Sequence, residues 1–216
     1  MPQESLFAIP EQVSLAEAVI CEPLSVAIYA VRQAGMPAAA NAAILGSGPV
    51  GLCVAMAARA QRAGSIYMTD RVAERVKIAG KTGASWAGNP DQQDIVKEIL
   101  RLCPLGLDCV YECAGQQETL DQAVQLLRPG GKLLIIGIPG TERVTFLIDT
   151  IRRKEITIVN IRRQNKCVQR AIELIASGQA QVNFMMTHRF GPQQSKEAFE
   201  LVAGYRDGVV KALIEL

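Results

Sequence analysis

The sequence is poor in the residues from which metal centres and cross-links are built. His188 is its only histidine, and the six cysteines, at 21, 53, 103, 109, 113 and 167, include no Cys-x-x-Cys pair. That excludes a His/Cys zinc cluster and a thioredoxin-like redox motif. Five of the six lie inside apolar runs, where a reduced thiol packs as a small hydrophobe. Reduced, structural cysteines and a reducing, cytoplasmic setting are therefore expected. Aromatics are also scarce, ten in 216 residues, which leaves little for base stacking or for a membrane-interface belt. No excess of one charge exists either: 23 basic against 21 acidic residues give a net charge of +2, too even for a dedicated nucleic-acid binder.

A long unbroken apolar run is missing as well. No charged residue falls between Arg32 and Arg59, but Gly35, Pro37, Gly46, Gly48, Pro49 and Gly51 interrupt that stretch, so it does not read as a membrane span. The opening Met1-Pro2-Gln3-Glu4-Ser5 lacks the basic start and apolar run of a secretory signal. There is no internal repeat and no low-complexity linker. The length suits one medium-sized domain, or one domain with a small appendage.

What is present is an alternation of short β-type runs with helical stretches. The apolar runs predict strands over 42–45, 66–69, 85–88, 107–112, 132–136 and 155–161. Helices are predicted over 50–63, 72–81, from Asn89-Pro90-Asp91 to about 102, and over 117–127, with a turn at Arg128-Pro129-Gly130-Gly131. In the helix over 72–81, Val76 and either Ala79 or Gly80 should face inward. Strands separated by helices of this length imply right-handed βαβ units and a doubly wound parallel α/β sheet. Both ends look foreign to it. A long helix over 15–33 has no strand ahead of it, and after the sheet come helices over 165–177 and 194–203 with short strands over 184–188 and 209–214.

Gly46-Ser47-Gly48-Pro49-Val50-Gly51 matches G-x-G-x-x-G, follows a predicted strand, opens a predicted helix, and precedes an acidic residue, Asp70, at the end of the next strand. Gly46 permits the turn, Gly48 leaves the backbone open to a pyrophosphate, and Gly51 lets the helix lie close on the strand. Pro49 suits the first helical turn, whose amides and positive dipole end favour phosphate. Asp70 can accept both ribose hydroxyls and would repel a 2′-phosphate, which favours NAD over NADP; Arg71 and Arg75 could instead answer such a phosphate. Less favoured is the reading in which Asp70 serves only to cap the next helix. S-adenosylmethionine-dependent methyltransferases share a glycine-rich first loop, an acidic second strand end and a turn like Pro129-Gly130-Gly131; they form a less favoured alternative.

These residues, together with Cys21-Glu22-Pro23-Leu24-Ser25-Val26, Tyr111-Glu112-Cys113-Ala114-Gly115, Arg128 to Gly137, Asn160-Ile161-Arg162, Thr187-His188-Arg189-Phe190 and Val210-Lys211, resemble the C-terminal part of zinc-dependent medium-chain dehydrogenases, in particular the sorbitol and threonine dehydrogenase branch. The resemblance implies a Rossmann-type sheet of about six strands in the order 3-2-1-4-5-6. Residues 1–22 would be a remnant of a catalytic domain, 23–161 the cofactor domain, and 162–216 a segment packed on the catalytic domain. It implies NAD-dependent hydride transfer on a secondary alcohol of a polyol-like substrate.

Carried over residue by residue, the resemblance implies pyrophosphate contacts at Gly48, Pro49 and Val50 and a ribose at Asp70 with Arg75 nearby. The nicotinamide side would be lined by Cys113, Ala114 and Gly115 and by Gly137, Ile138 and Pro139, with backbone of Asn160, Ile161 and Arg162 at the carboxamide. Glu22 corresponds to the family's last acidic position at the zinc, and Arg162 to its arginine near the substrate; both could be ordinary surface residues. The family's other zinc ligands have no counterpart here. One carboxylate cannot hold zinc, so the expectation is a chain that binds NAD but neither zinc nor substrate productively by itself. A non-catalytic NAD-binding or assembly protein is the alternative. His188 reads as a packed structural residue. Residues 1–20 and 181–216 are expected to be exposed, and the strand over 155–161, uncharged from Ile156 to Ile161, is expected to pair with a second copy, as it does in the resembled family.

Overall fold

The computed structural model describes residues 3–215. After a single turn of 3-10 helix come α1 (Leu15–Ala18) and α2 (Cys21–Ala34), then β1 (Ala42–Leu45), α3 (Pro49–Ala60), β2 (Ile66–Thr69), α4 (Ala73–Ala79) and β3 (Trp86–Gly88). The second half continues with α5 (Ile95–Leu102), β4 (Leu107–Glu112), α6 (Gln117–Leu126), β5 (Leu127–Ile135), α7 (Ile148–Lys154) and β6 (Thr157–Asn160). It ends with α8 (Val168–Ala176), β7 (Met186–Phe190), α9 (Ser195–Ala203) and β8 (Lys211–Ile214). The first six strands form one parallel sheet in the order β3-β2-β1-β4-β5-β6, while β7 and β8 pair in a separate two-stranded parallel sheet. This is the expected doubly wound arrangement.

Every residue of β1 and β2 is buried, as it must be in strands covered on both faces. Alternate side chains divide between two cores. Ala42, Ile44, Met68, Tyr111 and Leu134 pack under α2, α3 and α8. Ala43, Leu45, Tyr67, Val110 and Leu133 pack under α5 and α6. The register aligns Leu45 with Thr69 and Glu112, Thr69 with Gly88, Glu112 with Ile135, and Ile135 with Asn160. All six strands thus end along one edge of the sheet. The chain leaves β1 toward one flank and β4 toward the other, and the crevice between their ends is where such sheets bind ligands.

Several long side chains close helix ends that would otherwise leave carbonyls without partners. Lys132 Nζ donates to Ala34 O at 2.7 Å, beside the left-handed Gly35 that ends α2. Lys154 Nζ, at the last residue of α7, donates to Val124, Gln125 and Leu127 carbonyls at 3.0, 2.9 and 2.7 Å and so terminates α6.

Two local expectations give way. The helix over 15–33 is interrupted, with α1 ending at Ala18 and α2 starting at Cys21. Pro23 is responsible: within one continuous helix it could not donate to Val19 O, and its ring would strike that carbonyl. Asn89-Pro90 does not open a helix. The Asn89 side chain accepts from Asp91 N and donates to Arg71 O, both at 2.8 Å, making a turn, and α5 begins later with Asp94 as cap, which accepts from Lys97 N. In α4 the expected inward face holds through buried Ala79 and half-buried Val76, with Gly80 exposed and Arg75 buried in addition. The Pro129-Gly130-Gly131 turn survives as an irregularity inside β5, where the register to β4 shifts between Leu107 and Cys109 and Gly130 is left-handed.

Candidate functional site

The turn from β1 into α3 is fixed by contacts that only glycine permits. Gly46 has φ +106°, and a Cβ there would lie 3.1 Å from Ala114 N. A Cβ on Gly51 would overlap Gly46 O, so the third glycine is what lets α3 begin directly against the strand end. Gly48 differs: the nearest atom to a Cβ there is Arg75 Nη1, at 3.6 Å. Its missing side chain is not demanded by the protein's own packing. Gly48 caps α3 with Pro49 in the first turn, and the first intrahelical bond runs from Leu52 N to Gly48 O at 3.0 Å. The Val50 and Gly51 amides ahead of it have no intrahelical acceptor. An anion laid across Gly48 would meet bare backbone, free N–H groups and the positive end of a twelve-residue helix.

Asp70, at the end of β2, holds this turn. Its Oδ2 accepts from Ser47 N and its Oδ1 from Val72 N, both at 2.8 Å. It therefore both caps the approach to α4 and pins the glycine turn, and each oxygen keeps a second lone pair for hydroxyls arriving from the cleft. Ser47 is wholly buried and its hydroxyl donates to Thr69 O.

A cleft of about 590 Å³ opens between the β1, β2 and β4 ends. Of the residues singled out from the sequence, Gly46, Gly48, Asp70, Arg71, Arg75, Cys113 and Ala114 line it. Pro49, Val50, Gly51 and Gly115 adjoin these in sequence but are not among its lining residues. Gly137, Ile138, Pro139, Asn160, Ile161, Arg162 and Glu22 lie outside it. The 137–139 loop nevertheless touches the 113–115 loop, since a Cβ on Gly115 would overlap Ile138 O and one on Gly137 would overlap Gly115 N.

The two arginines are already engaged. Arg71 pairs with Asp91 at 2.8 Å over the cleft mouth. Arg75 is buried, donates to Val209 O through Nε at 3.3 Å and Nη2 at 3.0 Å, and lies over the Tyr205 ring at 5.0 Å. Sequence reasoning missed Tyr205, which lines the cleft; no local signal could join it to a residue 130 positions earlier. It also gave Glu112 no role of its own. This carboxylate is fully buried at the end of β4 and accepts from Ala114 N and Gly115 N at 2.7 Å and from Thr119 Oγ1 at 2.8 Å.

Glu22 is exposed in the first turn of α2, and neither it nor the exposed Arg162 makes a side-chain hydrogen bond or ion pair among the described residues. No three His, Cys, Asp or Glu side chains come together there either, so the residues present do not fit a zinc ion. His188 faces Thr187 Oγ1 at 2.9 Å and Asp207 Oδ2 at 3.1 Å and stacks beside Phe190, a structural setting. All six cysteines are free, and burial pushes the Cys109 thiol up to about 12 and Cys53 higher still, which leaves both inert near neutrality. No helix of the described residues is long and apolar enough to cross a membrane.

Residues 49–177 match a family described as zinc-binding dehydrogenase. The chain belongs to that family. It is 33% identical over 215 residues to a sorbitol dehydrogenase of Bacillus subtilis, covering 99% of this chain and 61% of the relative. The 2R,3R-butanediol dehydrogenase of the same species superposes with a TM-score of 0.89 at 28% identity, over 97% of this chain and 60% of the other. A structure described as a zinc-binding dehydrogenase from Sinorhizobium meliloti 1021, bound to NADP, gives 0.92 at 28% identity over 100% and 64%. The chain thus spans about three fifths of the length of these relatives.

Proposed function

We propose that these 216 residues are the NAD(H)-binding portion of a zinc-type dehydrogenase that moves a hydride between nicotinamide and a secondary alcohol of a polyol. The observation that carries the reading is Gly48: the turn around it is rigid, yet its own Cβ position is open to the cleft and faces free helix amides. Val50 and Gly51 N–H would hold the diphosphate and Asp70 the adenosine ribose. Cys113 to Gly115 and Gly137 to Pro139 would border the nicotinamide, with Asn160 to Arg162 beyond them. When bound, the dinucleotide supplies the hydride donor or acceptor; the chain's part is to orient it and keep water from one face.

The Asp70 carboxylate supports NAD over NADP, although the Sinorhizobium relative binds NADP. Zinc and the polyol need ligands besides Glu22, so the 216 residues by themselves bind cofactor without turnover; Arg162 would face substrate in a complete site. Reduced cysteines support a cytoplasmic setting. Residues 1–22 and 162–216 would pack on a catalytic domain. Exposed Leu6, Leu15, Phe199 and Tyr205 support this.

Strand β6, uncharged and at the sheet edge, would pair with a second copy. Neither nucleic acid nor membrane is a proposed partner. Titration with NADH, NADPH and S-adenosylmethionine tests the cofactor, NADH alone being expected to bind well. Ordinary turnover of a polyol by this chain with added zinc would overturn the inactivity, and binding of S-adenosylmethionine alone would overturn the whole reading.

A further inference from the structure

We propose that Glu112 is a positioning residue for the nicotinamide half of the site, tying together the two loops that border it. The proposal rests on the dinucleotide reading above and adds a residue that it does not use. Glu112 contributes no surface to solvent, yet its two oxygens are treated differently. Oε1 gathers the Ala114 and Gly115 amides and the Thr119 hydroxyl, whose single proton is shared with Gln116 O, also at 2.8 Å. Oε2 is buried without any hydrogen-bond partner among the described residues. It faces the 137–139 loop: a Cβ on Gly137 would lie 2.6 Å from it. Backbone of the same residue completes the link, because Glu112 O accepts from Ile136 N and Gly137 N, both at 2.9 Å.

One residue therefore holds the loop after its own strand through Oε1 and the loop after the neighbouring strand through its main chain. A buried carboxylate oxygen without a donor is costly and persists where structure or function demands it. Here it keeps Gly137 a glycine and holds the two loops in contact, with the left-handed Gly115 (φ +70°) between them. The linkage meets the glycine turn only where Gly46 packs against the Cys113 and Ala114 backbone, and it does not touch Gly48 or Asp70, so the diphosphate and adenosine half should depend on it far less than the nicotinamide half.

That separation supplies the test. Affinities for NADH and for ADP-ribose, which lacks the nicotinamide, are measured calorimetrically for the unaltered chain, Glu112→Gln and Gly137→Ala, with folding checked by circular dichroism. Glutamine keeps one acceptor for the two amides and turns a donor toward Gly137; alanine wedges the loops apart. Both variants are expected to hold ADP-ribose within about twofold and to bind NADH about tenfold more weakly, the equivalent of one lost buried hydrogen bond. Nicotinamide emission should shift toward that of the free dinucleotide. If ADP-ribose and NADH weaken together, or neither changes, the positioning role is wrong while the dinucleotide reading stands. If the unaltered chain binds neither molecule, the dinucleotide reading itself falls and takes the proposal with it. Should Glu112→Gln fail to fold, Glu112→Asp, which keeps the charge but withdraws it from the Ala114 and Gly115 amides, decides the matter by the same split between NADH and ADP-ribose.

Discussion

Two carboxylates, Asp70 and Glu112, end neighbouring halves of one sheet and do related work in opposite surroundings. Each accepts backbone amides from the loops around it: Asp70 from Ser47 and Val72, Glu112 from Ala114 and Gly115. Asp70 lines the cleft and can answer an arriving ribose. Glu112 is sealed beneath two loops and can act only through them. On the proposed reading, the same device, a carboxylate gathering amides, would serve recognition where it is open and shape where it is closed.

The strongest way to break the comparison is to destroy the turn that Asp70 holds. Gly51→Ala places a methyl group on Gly46 O, and should cost about 3 kcal/mol in thermal unfolding and abolish NADH binding. Gly48→Val sharpens the distinction between structural and ligand-facing glycines. A Cβ there meets only the tip of Arg75, so stability should change by about 1 kcal/mol or less while NADH affinity falls at least about a hundredfold. Asp70→Asn removes the charge that would repel a 2′-phosphate and should shrink the preference for NADH over NADPH about tenfold. The corresponding change at Glu112 should leave that preference untouched.

Away from both carboxylates, Thr157→Lys puts a charge on the exposed edge strand and should convert the proposed dimer to monomer in light scattering at micromolar concentration, whereas a wild-type monomer would sink the pairing itself. The smallest effect is expected at Ser14. Its side chain and backbone hold the Glu17 carboxyl below its ordinary value. That contribution is present above the carboxyl's unfolded pKa and disappears as acid protonates it. Ser14→Ala should therefore lose about 1 kcal/mol at neutral pH and less in acid, read from denaturant unfolding.

The distribution of legible and illegible features follows the same division. The sheet could be read because strands buried on both faces are apolar along nearly their whole length, as Ala42–Leu45 is and as Ile66–Thr69 is but for Thr69 at its end. Asp70 could be read because a backbone requirement, the three glycines, fixes where the next acidic strand end must lie. Glu112 could not be given a role, because an acid ending an apolar strand looks identical whether it points to solvent or into two loops. The break at Pro23 was concealed by the helical pattern on either side of it. The turn at Asn89 was concealed because an asparagine followed by proline opens helices and turns alike. Tyr205 and Val209 hold Arg75 by contacts far apart in sequence, to which local pattern is blind.

Calorimetric titration of the unaltered chain with NADH, run beside Gly48→Val, tests most directly whether a diphosphate rests on the turn between β1 and α3. One molecule per chain with saturable heat, and none with the valine variant at the same concentrations, is the predicted result. Equal binding by both proteins, or no heat from either at millimolar dinucleotide, would contradict it.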